Sequence, residues 1–127
     1  MADSRIDIKG LDKLRLKLAF MKDPKGVTHG IKDAALHLQK EAKVYPPKPA
    51  HSTYRRTLNL GKRWAVNVRR LGATVSNNTS YGPFVQGDEQ TWFHAETGWK
   101  TTGEIAEDET EEVVKIIKRA VDRVLNQ

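Results

Sequence analysis

The chain contains no cysteine, and no acidic residue stands between Glu41 and Asp88. Without cysteine, neither a disulfide framework nor a Cys-ligated metal centre is possible. No apolar run approaches the roughly 18 residues that a membrane-spanning helix needs. The N-terminus also lacks the basic and then apolar pattern of a secretion signal. We therefore expect a protein that is made in the cytoplasm and has no membrane partner.

Charge is divided unevenly along the chain. Residues 1–75 carry 17 Lys and Arg against 6 Asp and Glu, a net charge of +11, whereas residues 76–127 carry 5 against 10, a net charge of −5. Such opposed ends suit either packing of one half against the other or a ring in which copies meet head to tail. The length of 127 residues is enough for one domain with its own core, so we expect a single domain.

The N-terminal third has the apolar spacing of a short strand followed by two helices. The strand holds Ile6 and Ile8, and the first helix has an apolar stripe at Leu11, Leu14 and Leu18, widened by Leu16 and Phe20. Asp23 suits the N-cap and Pro24 the first position of the second helix. The apolar face of that helix comprises Val27, Ile31, Ala34, Ala35, Leu38 and Ala42. The prolines from Pro46 onward end it near Val44.

From Trp64 onward the apolar spacing changes to the alternation of β-strands. Trp64, Val66 and Val68 share one face, and a second strand ends at Asn77-Asn78, which predicts a β-hairpin. Residues at about 88–101 resemble a second hairpin that would project as an arm. Most aromatic residues fall between residues 64 and 99, and we interpret them as an aromatic face of the sheet that packs in the core.

The C-terminal segment predicts a long helix. Thr102 can cap it, acidic residues crowd its first half and basic residues fill its second half, as the helix dipole favours. Its buried stripe comprises Val113, Ile116, Ile117, Ala120, Val124 and Leu125. The expected fold class is therefore α+β, with an antiparallel β-sheet packed against two N-terminal helices and one long C-terminal helix.

Signals for catalysis or for cofactor binding are weak. No glycine-rich phosphate loop follows a strand, and His29 and His37 are eight residues apart on one helix, too far to share a metal ion. We therefore expect no cofactor and no metal ion. His94 stands in an H-x-E pair, so an acid-base site on His94, with Arg55 or Arg56 holding a phosphate, is the hydrolase alternative.

A proline-rich, basic and aromatic loop occupies about 44–63, within the stretch that lacks acidic residues. Eight Lys or Arg lie between residues 43 and 70, interleaved with Tyr45, Tyr54 and Trp64. Such residues could neutralise phosphates and stack on bases. Since no helix-turn-helix, zinc or RNA-recognition motif accompanies them, a basic nucleic-acid-binding module remains the alternative to a protein-binding surface.

Several short segments occur in a characteristic order. They are Ile8-Lys9-Gly10-Leu11-Asp12-Lys13-Leu14, Tyr45-Pro46-Pro47-x-Pro49, Ser52-Thr53-Tyr54-Arg55-Arg56-Thr57, Leu60-Gly61-Lys62-Arg63-Trp64, Asn77-Asn78-Thr79-Ser80-Tyr81-Gly82-Pro83-Phe84-Val85-Gln86, Gln90-x-Trp92-Phe93-His94 and Gly98-Trp99-Lys100-Thr101. In order and spacing they resemble a family of small proteins of long-tailed bacteriophages and prophages. These are tail-completion or minor tail proteins, also described as head-tail joining proteins. With the terminal helix, the likeness covers nearly the whole chain.

The resemblance implies an α+β virion assembly protein without catalysis. Its copies would form a ring at the head-proximal end of the tail and help to make the surface that meets the capsid connector. The implied partners are its own copies, tail tube proteins and head connector proteins, with passing DNA bound at most non-specifically. The implied location is the tail or neck of the virion, after assembly in the bacterial host cytoplasm. We expect the assembly contacts at Tyr45, Pro46, Pro47, Tyr54, Arg55, Arg56, Lys62, Arg63, Trp92, Phe93, His94 and Trp99.

Overall fold

The computed structural model describes residues 5–8, 13–47 and 59–127. Along these ranges the chain forms β1 (Arg5–Ile8), α1 (Lys13–Lys22), α2 (Pro24–Ala42), α3 (Asn59–Lys62), β2 (Trp64–Arg69), β3 (Gly72–Asn77), α4 (Gly82–Val85), α5 (Trp92–Thr97) and α6 (Thr102–Leu125). The fold is α+β, as the sequence predicts. In the described part of the chain, no helix is both long and apolar enough to cross a membrane.

The three strands form an antiparallel sheet in the order β1-β3-β2. Val75, at the centre of β3, is fully buried and pairs with Ile6 of β1 on one side and with Val66 of β2 on the other. These cross-strand apolar neighbours set the register, because a slip of one residue would turn each of them to the opposite face. The predicted strand at Ile6 and the predicted hairpin are both confirmed.

Helix α2 packs against both the sheet and α6, and α6 also contacts β1. Its predicted N-cap is confirmed, since Asp23 accepts a hydrogen bond from the Gly26 amide at 3.0 Å. All six apolar residues predicted for its face are buried. α6 runs antiparallel to α2, because Gly26 lies against Val124 at one end of the pair while His37 bonds Glu109 toward the other. The layer of α2 and α6 therefore covers one face of the sheet and encloses the core.

Helix α1 buries only part of the predicted stripe. Leu14 and Leu18 are 69% and 49% exposed, whereas Leu16, which was predicted to widen the stripe, is buried together with Ala19, and Phe20 is partly buried. Leu11 lies outside the described residues. Arg15 bonds Asp122 of α6 at 2.6 Å, which helps to fix the rotation of α1 about its axis. The sequence of α1 contains two overlapping apolar stripes, and packing against α2 and α6 buries the one that includes Leu16 and Ala19.

The predicted hairpin arm at about 88–101 is wrong, since this segment contains the helix α5. Thr91 caps α5 through a hydrogen bond from the His94 amide, and Gly98 ends it with a left-handed φ of 103°. Glycine tolerates that conformation without steric cost, so it commonly ends helices as well as forming turns. Thr91 and Gly98 thus mark the two ends of α5.

The predicted aromatic face of the sheet is also wrong. Trp64 alone of these aromatic residues lies on a described strand, and it is buried at 4% exposure. Tyr81, Phe84, Trp92 and Phe93 lie in or beside short helices and are exposed. The chain leaves the sheet at Asn77, so the alternation that indicated strands does not extend to the later aromatic residues.

The long C-terminal helix is confirmed, with its cap one residue earlier than predicted. Thr101 is the N-cap and forms a capping box with Glu104, while Thr102 is buried. The predicted stripe is buried at Val113, Ile117, Ala120 and Val124 and partly buried at Ile116 and Leu125. The structure adds Ile105 and Val121 to it. Ile105 belongs to the buried core, and it also lines a small pocket at the end of α2.

Candidate partner-binding surface

Tyr45 connects three of the segments that the sequence singles out. Its hydroxyl accepts a hydrogen bond from the Gly61 amide at 2.8 Å. Its ring meets the ring of Trp99 edge to face, with centroids 4.9 Å apart and planes at 62°. Both aromatic side chains are half-buried. Tyr45 therefore joins the start of the proline-rich loop to helix α3 and to the segment after α5. Edge-to-face ring contacts and a hydrogen-bonded hydroxyl are common for partly buried tyrosines.

Pro46 packs beside this junction. A Cβ placed on Gly98 would lie 3.4 Å from Pro46 Cβ, so the turn that ends α5 rests against the proline. Pro46 is half-buried and Pro47 is exposed. The rigid residues Pro46 and Pro47 thus directly follow Tyr45, which is held by its contacts with Gly61 and Trp99.

Two glutamine side chains hold the irregular segment between α4 and α6. Gln90 Nε2 donates to the carbonyls of Val85 and Trp99, each at 2.7 Å. Gln86 Nε2 donates to the Lys100 carbonyl at 3.1 Å and to the Ala42 carbonyl at 3.4 Å. These bonds satisfy main-chain carbonyls that no regular element pairs. The segment around α5 is accordingly tied to the end of α2, although sequence analysis gave these two residues no role.

Helix α5 presents aromatic side chains to solvent. Trp92 is 75% exposed and Phe93 is 57% exposed, and their ring centroids lie 6.1 Å apart at 87°. None of the residues of α5 is buried. The helix therefore contributes little to the core, and exposed neighbouring aromatic side chains of this kind are typical of surfaces that bind another macromolecule.

His94 lies on the same helix and is half-buried. Its Nδ1 is 2.6 Å from Thr91 Oγ1. Burial lowers the pKa of His94, and a backbone hydrogen bond at Phe84 offsets part of this effect. The side-chain hydrogen bond found for His94 within the described residues goes to the N-cap of α5 and not to Glu96. The geometry thus gives His94 a place at a helix start, where a neutral imidazole is favoured.

The basic residues of the predicted contact set divide into two groups. Lys62 and Arg63 are exposed at the end of α3. Arg63 also lines an open surface pocket of about 390 Å³ with Asn78, Thr79, Ser80 and Tyr81, all of which belong to the segments quoted above. The other basic residues, Arg55 and Arg56, lie outside the described residues, as does Tyr54. A cation beside polar and aromatic groups suits contact with an acidic or carbonyl-rich surface.

Two further groups of residues were missed by sequence analysis. Leu14, Leu18 and Met21 form an exposed apolar stripe on α1, since Met21 is 79% exposed. His37, Glu41 and Glu109 place one possible ligand atom each within 4.8 Å of the others. The spacing His37-x-x-x-Glu41 could have suggested the second group, because residues four apart share a helix face. Glu109 could not be assigned to it before α2 and α6 were seen to pack together.

Comparisons of the chain with protein-family models, with curated proteins and with solved structures found no match.

Proposed function

We propose that this protein is a structural virion assembly subunit of a long-tailed phage or prophage. In this proposal its copies form a ring at the head-proximal end of the tail and help to join the tail to the capsid connector. The role requires no catalysis and no cofactor. The proposal rests on the resemblance of the ordered segments and on the properties of the surface that those segments build.

The observation that carries the proposal is the exposure of Trp92 and Phe93 on a helix that is held by other residues. Their exposed fractions are 75% and 57%. Gln90 fixes the chain just before α5 to the carbonyls of Val85 and Trp99. A preorganised aromatic pair loses little conformational entropy on binding and buries a large apolar area. These are the properties of an anchor for a protein partner.

Charge supports contact between copies. Lys62 and Arg63 are exposed at the end of α3, whereas Glu104, Glu107 and Glu111 are exposed along the first half of α6. Opposed charges on different parts of one subunit can pair when identical subunits are arranged in a ring with a heterologous interface. Such pairs add orientation and partner specificity more than affinity.

The proposal is tested by deleting the coding sequence from the genome that carries it and inducing particle production. Electron microscopy should then show separate heads and tails, and expression of the wild-type chain should restore joined particles. We expect the variant with Trp92→Ala and Phe93→Ala to restore few or none, because the anchor is removed. Its melting temperature should stay close to that of the wild type, since α5 has no buried residue.

Met21→Ala is the matched control, because Met21 is also a large apolar residue, is 79% exposed on α1 and lies outside the short segments quoted above. It should restore joined particles as the wild type does. Normal particles after the deletion would contradict the proposal. Equal loss with Met21→Ala would show that the effect is not specific to the surface of α5.

A band-shift titration distinguishes this role from nucleic-acid binding. A subunit at the mouth of a tail must let DNA pass, so binding to a random duplex should be weak. It should also be lost between about 50 and 200 mM salt, as contacts with phosphates alone are. Sub-micromolar binding that persists at the higher salt concentration would instead support the basic nucleic-acid-binding module.

A further inference from the structure

One imidazole and two carboxylates meet where the last turns of α2 pack against α6. His37 Nε2 lies 2.7 Å from Glu109 Oε1, and the possible ligand atoms of His37, Glu41 and Glu109 all lie within 4.8 Å of one another. His37 and Glu41 are four residues apart on α2, so they share one face of that helix. The antiparallel packing of α6 places Glu109 opposite that face.

The side chains of this cluster are less exposed to solvent than those of a comparable His–carboxylate pair elsewhere on α2. The side chains of His37 and Glu109 are 23% and 24% exposed. The same helix carries a second pair with the same spacing, His29 and Asp33, whose side chains are 69% and 50% exposed. Among the described residues, no third His or carboxylate joins that second pair. The pair of His29 and Asp33 is therefore an internal comparison, because it has the same four-residue spacing without a third ligand and with less burial.

A pocket beside the cluster supplies a second, independent observation. Glu41, Glu109 and Gln86 all line a cavity of about 110 Å³, large enough for at least one water molecule. Gln86 is 2% exposed, and its Oε1 is buried without a hydrogen-bond partner within the described structure. Its Nε2 is already engaged by two main-chain carbonyls, which fixes the amide orientation. Gln86 is a residue of the pocket wall, and a buried amide oxygen without a partner calls for a donor such as an ordered water molecule.

We propose that His37, Glu41 and Glu109 bind one Zn²⁺ ion, with a water molecule from the pocket as the fourth ligand. One imidazole nitrogen and two carboxylate oxygens are ordinary zinc ligands, and two carboxylates neutralise the charge of the ion. Ca²⁺ and Mg²⁺ favour sites built from oxygen ligands alone. Gln86 Oε1 is a suitable acceptor for the bound water, as outer-shell partners of zinc sites are.

The side chains need to move little to reach zinc geometry. Metal bonds of about 2.0–2.2 Å at tetrahedral angles place neighbouring ligand atoms about 3.3–3.6 Å apart. The His37–Glu109 separation of 2.7 Å would lengthen and the separations of up to 4.8 Å would shorten by side-chain rotation, since these residues are only half-buried. The ion would replace the proton between His37 and Glu109 and would hold the end of α2 against α6.

Asp108 is not assigned as a ligand, although it lines the same pocket. It accepts a hydrogen bond from Lys100 Nζ at 2.7 Å, and this bond raises the pKa of Lys100. The carboxylate is therefore already matched by a cation. The proposed zinc site is independent of the assembly role, because it concerns the folded subunit alone.

Titration calorimetry with ZnCl₂ on the metal-free chain, without a polyhistidine tag, tests the site. We expect one Zn²⁺ per chain and a higher melting temperature, while MgCl₂ and CaCl₂ have little effect. His37→Asn and Glu109→Gln should each weaken binding by at least the roughly tenfold that loss of an outer-shell partner costs. His29→Asn is the matched control and should bind as the wild type does.

Absence of zinc binding to the wild type, or equal weakening by His29→Asn and His37→Asn, would overturn the assignment. Circular dichroism shows whether each variant is folded. If the ligand variants do not fold, the wild-type Co²⁺ complex decides the question. We expect the intense visible absorption of four-coordinate Co²⁺, and a weak six-coordinate spectrum would also overturn the proposal.

Discussion

Gly30 of α2 lies directly against Ala120 of α6, so closely that a Cβ on Gly30 would collide with the Cβ of Ala120. Both residues are buried. The two longest helices of the described chain therefore approach each other closely at a point where neither has a bulky side chain. This contact places α6 on α2 in the position that brings Glu109 to His37.

The close approach predicts that Gly30→Ala destabilises the fold. The added methyl group overpacks the interface, and the better helix propensity of alanine offsets only part of this, so we expect a net loss of about 1–2 kcal/mol. Gly103→Ala on α6 is the control, since its nearest neighbour would be 3.8 Å away. It should be neutral or stabilising by up to about 1 kcal/mol. Urea unfolding measures both, and equal effects would refute the packing argument.

Two tryptophans should respond oppositely to truncation. Trp64 is 4% exposed on β2, so Trp64→Ala should cost about 3–5 kcal/mol through the cavity it leaves. Trp92 is 75% exposed, so Trp92→Ala should change stability by less than about 0.5 kcal/mol. Thermal unfolding of the two variants checks this difference. A large loss with Trp92→Ala would mean that α5 supports the core.

The capping box of α6 gives a third prediction. Thr101 accepts from the Glu104 amide at 3.1 Å, and Glu104 accepts from the Thr101 amide at 3.4 Å. Thr101→Ala should lower the free energy of unfolding by about 1 kcal/mol. Glu104→Gln should have a smaller effect, because glutamine also completes a capping box. Should the two substitutions prove equally harmful, the charge of Glu104 at the helix start would matter as much as the Thr101 cap.

The pKa of His94 gives a prediction about pH. Burial holds this pKa below its ordinary value of about 6.5, so near and below that pH the unfolded chain binds more protons than the folded one. The contribution of neutral His94 is therefore fully present above the unfolded pKa and is lost as the pH falls through the folded pKa. Wild type should lose more stability than His94→Gln between about pH 7.5 and 5.5. Parallel denaturant curves at the two values test it, and equal losses would contradict it.

Association of copies should weaken with salt. The basic N-terminal and acidic C-terminal parts of the chain would meet across the interface, and exposed pairs are screened over about 10 Å at 0.1 M salt. Sedimentation at high protein concentration across a salt series measures this. Association that strengthens with salt would instead indicate an apolar interface.

Local signals in the sequence were sufficient for most of the fold. The Asp23-Pro24 start of α2, its six apolar residues and its end before the prolines act within one or two helical turns, so they are visible without knowledge of the partner elements. The alternation from Trp64 to Val68 likewise predicted the hairpin. The glycine at Gly98 was ambiguous, because a glycine can end a helix as well as form the turn between two strands.

The sequence by itself determined the α+β class, the two long helices and the hairpin, because each depends on neighbours a few residues away. Only the tertiary structure decided which apolar stripe of α1 is buried, which aromatic residues are exposed and which side chains meet. Tyr45 reaches Trp99, and His37 reaches Glu109 across 72 positions of the chain. Such contacts depend on how α2, α6 and the α5 segment pack, and packing is set by the whole core and not by any single stretch of residues.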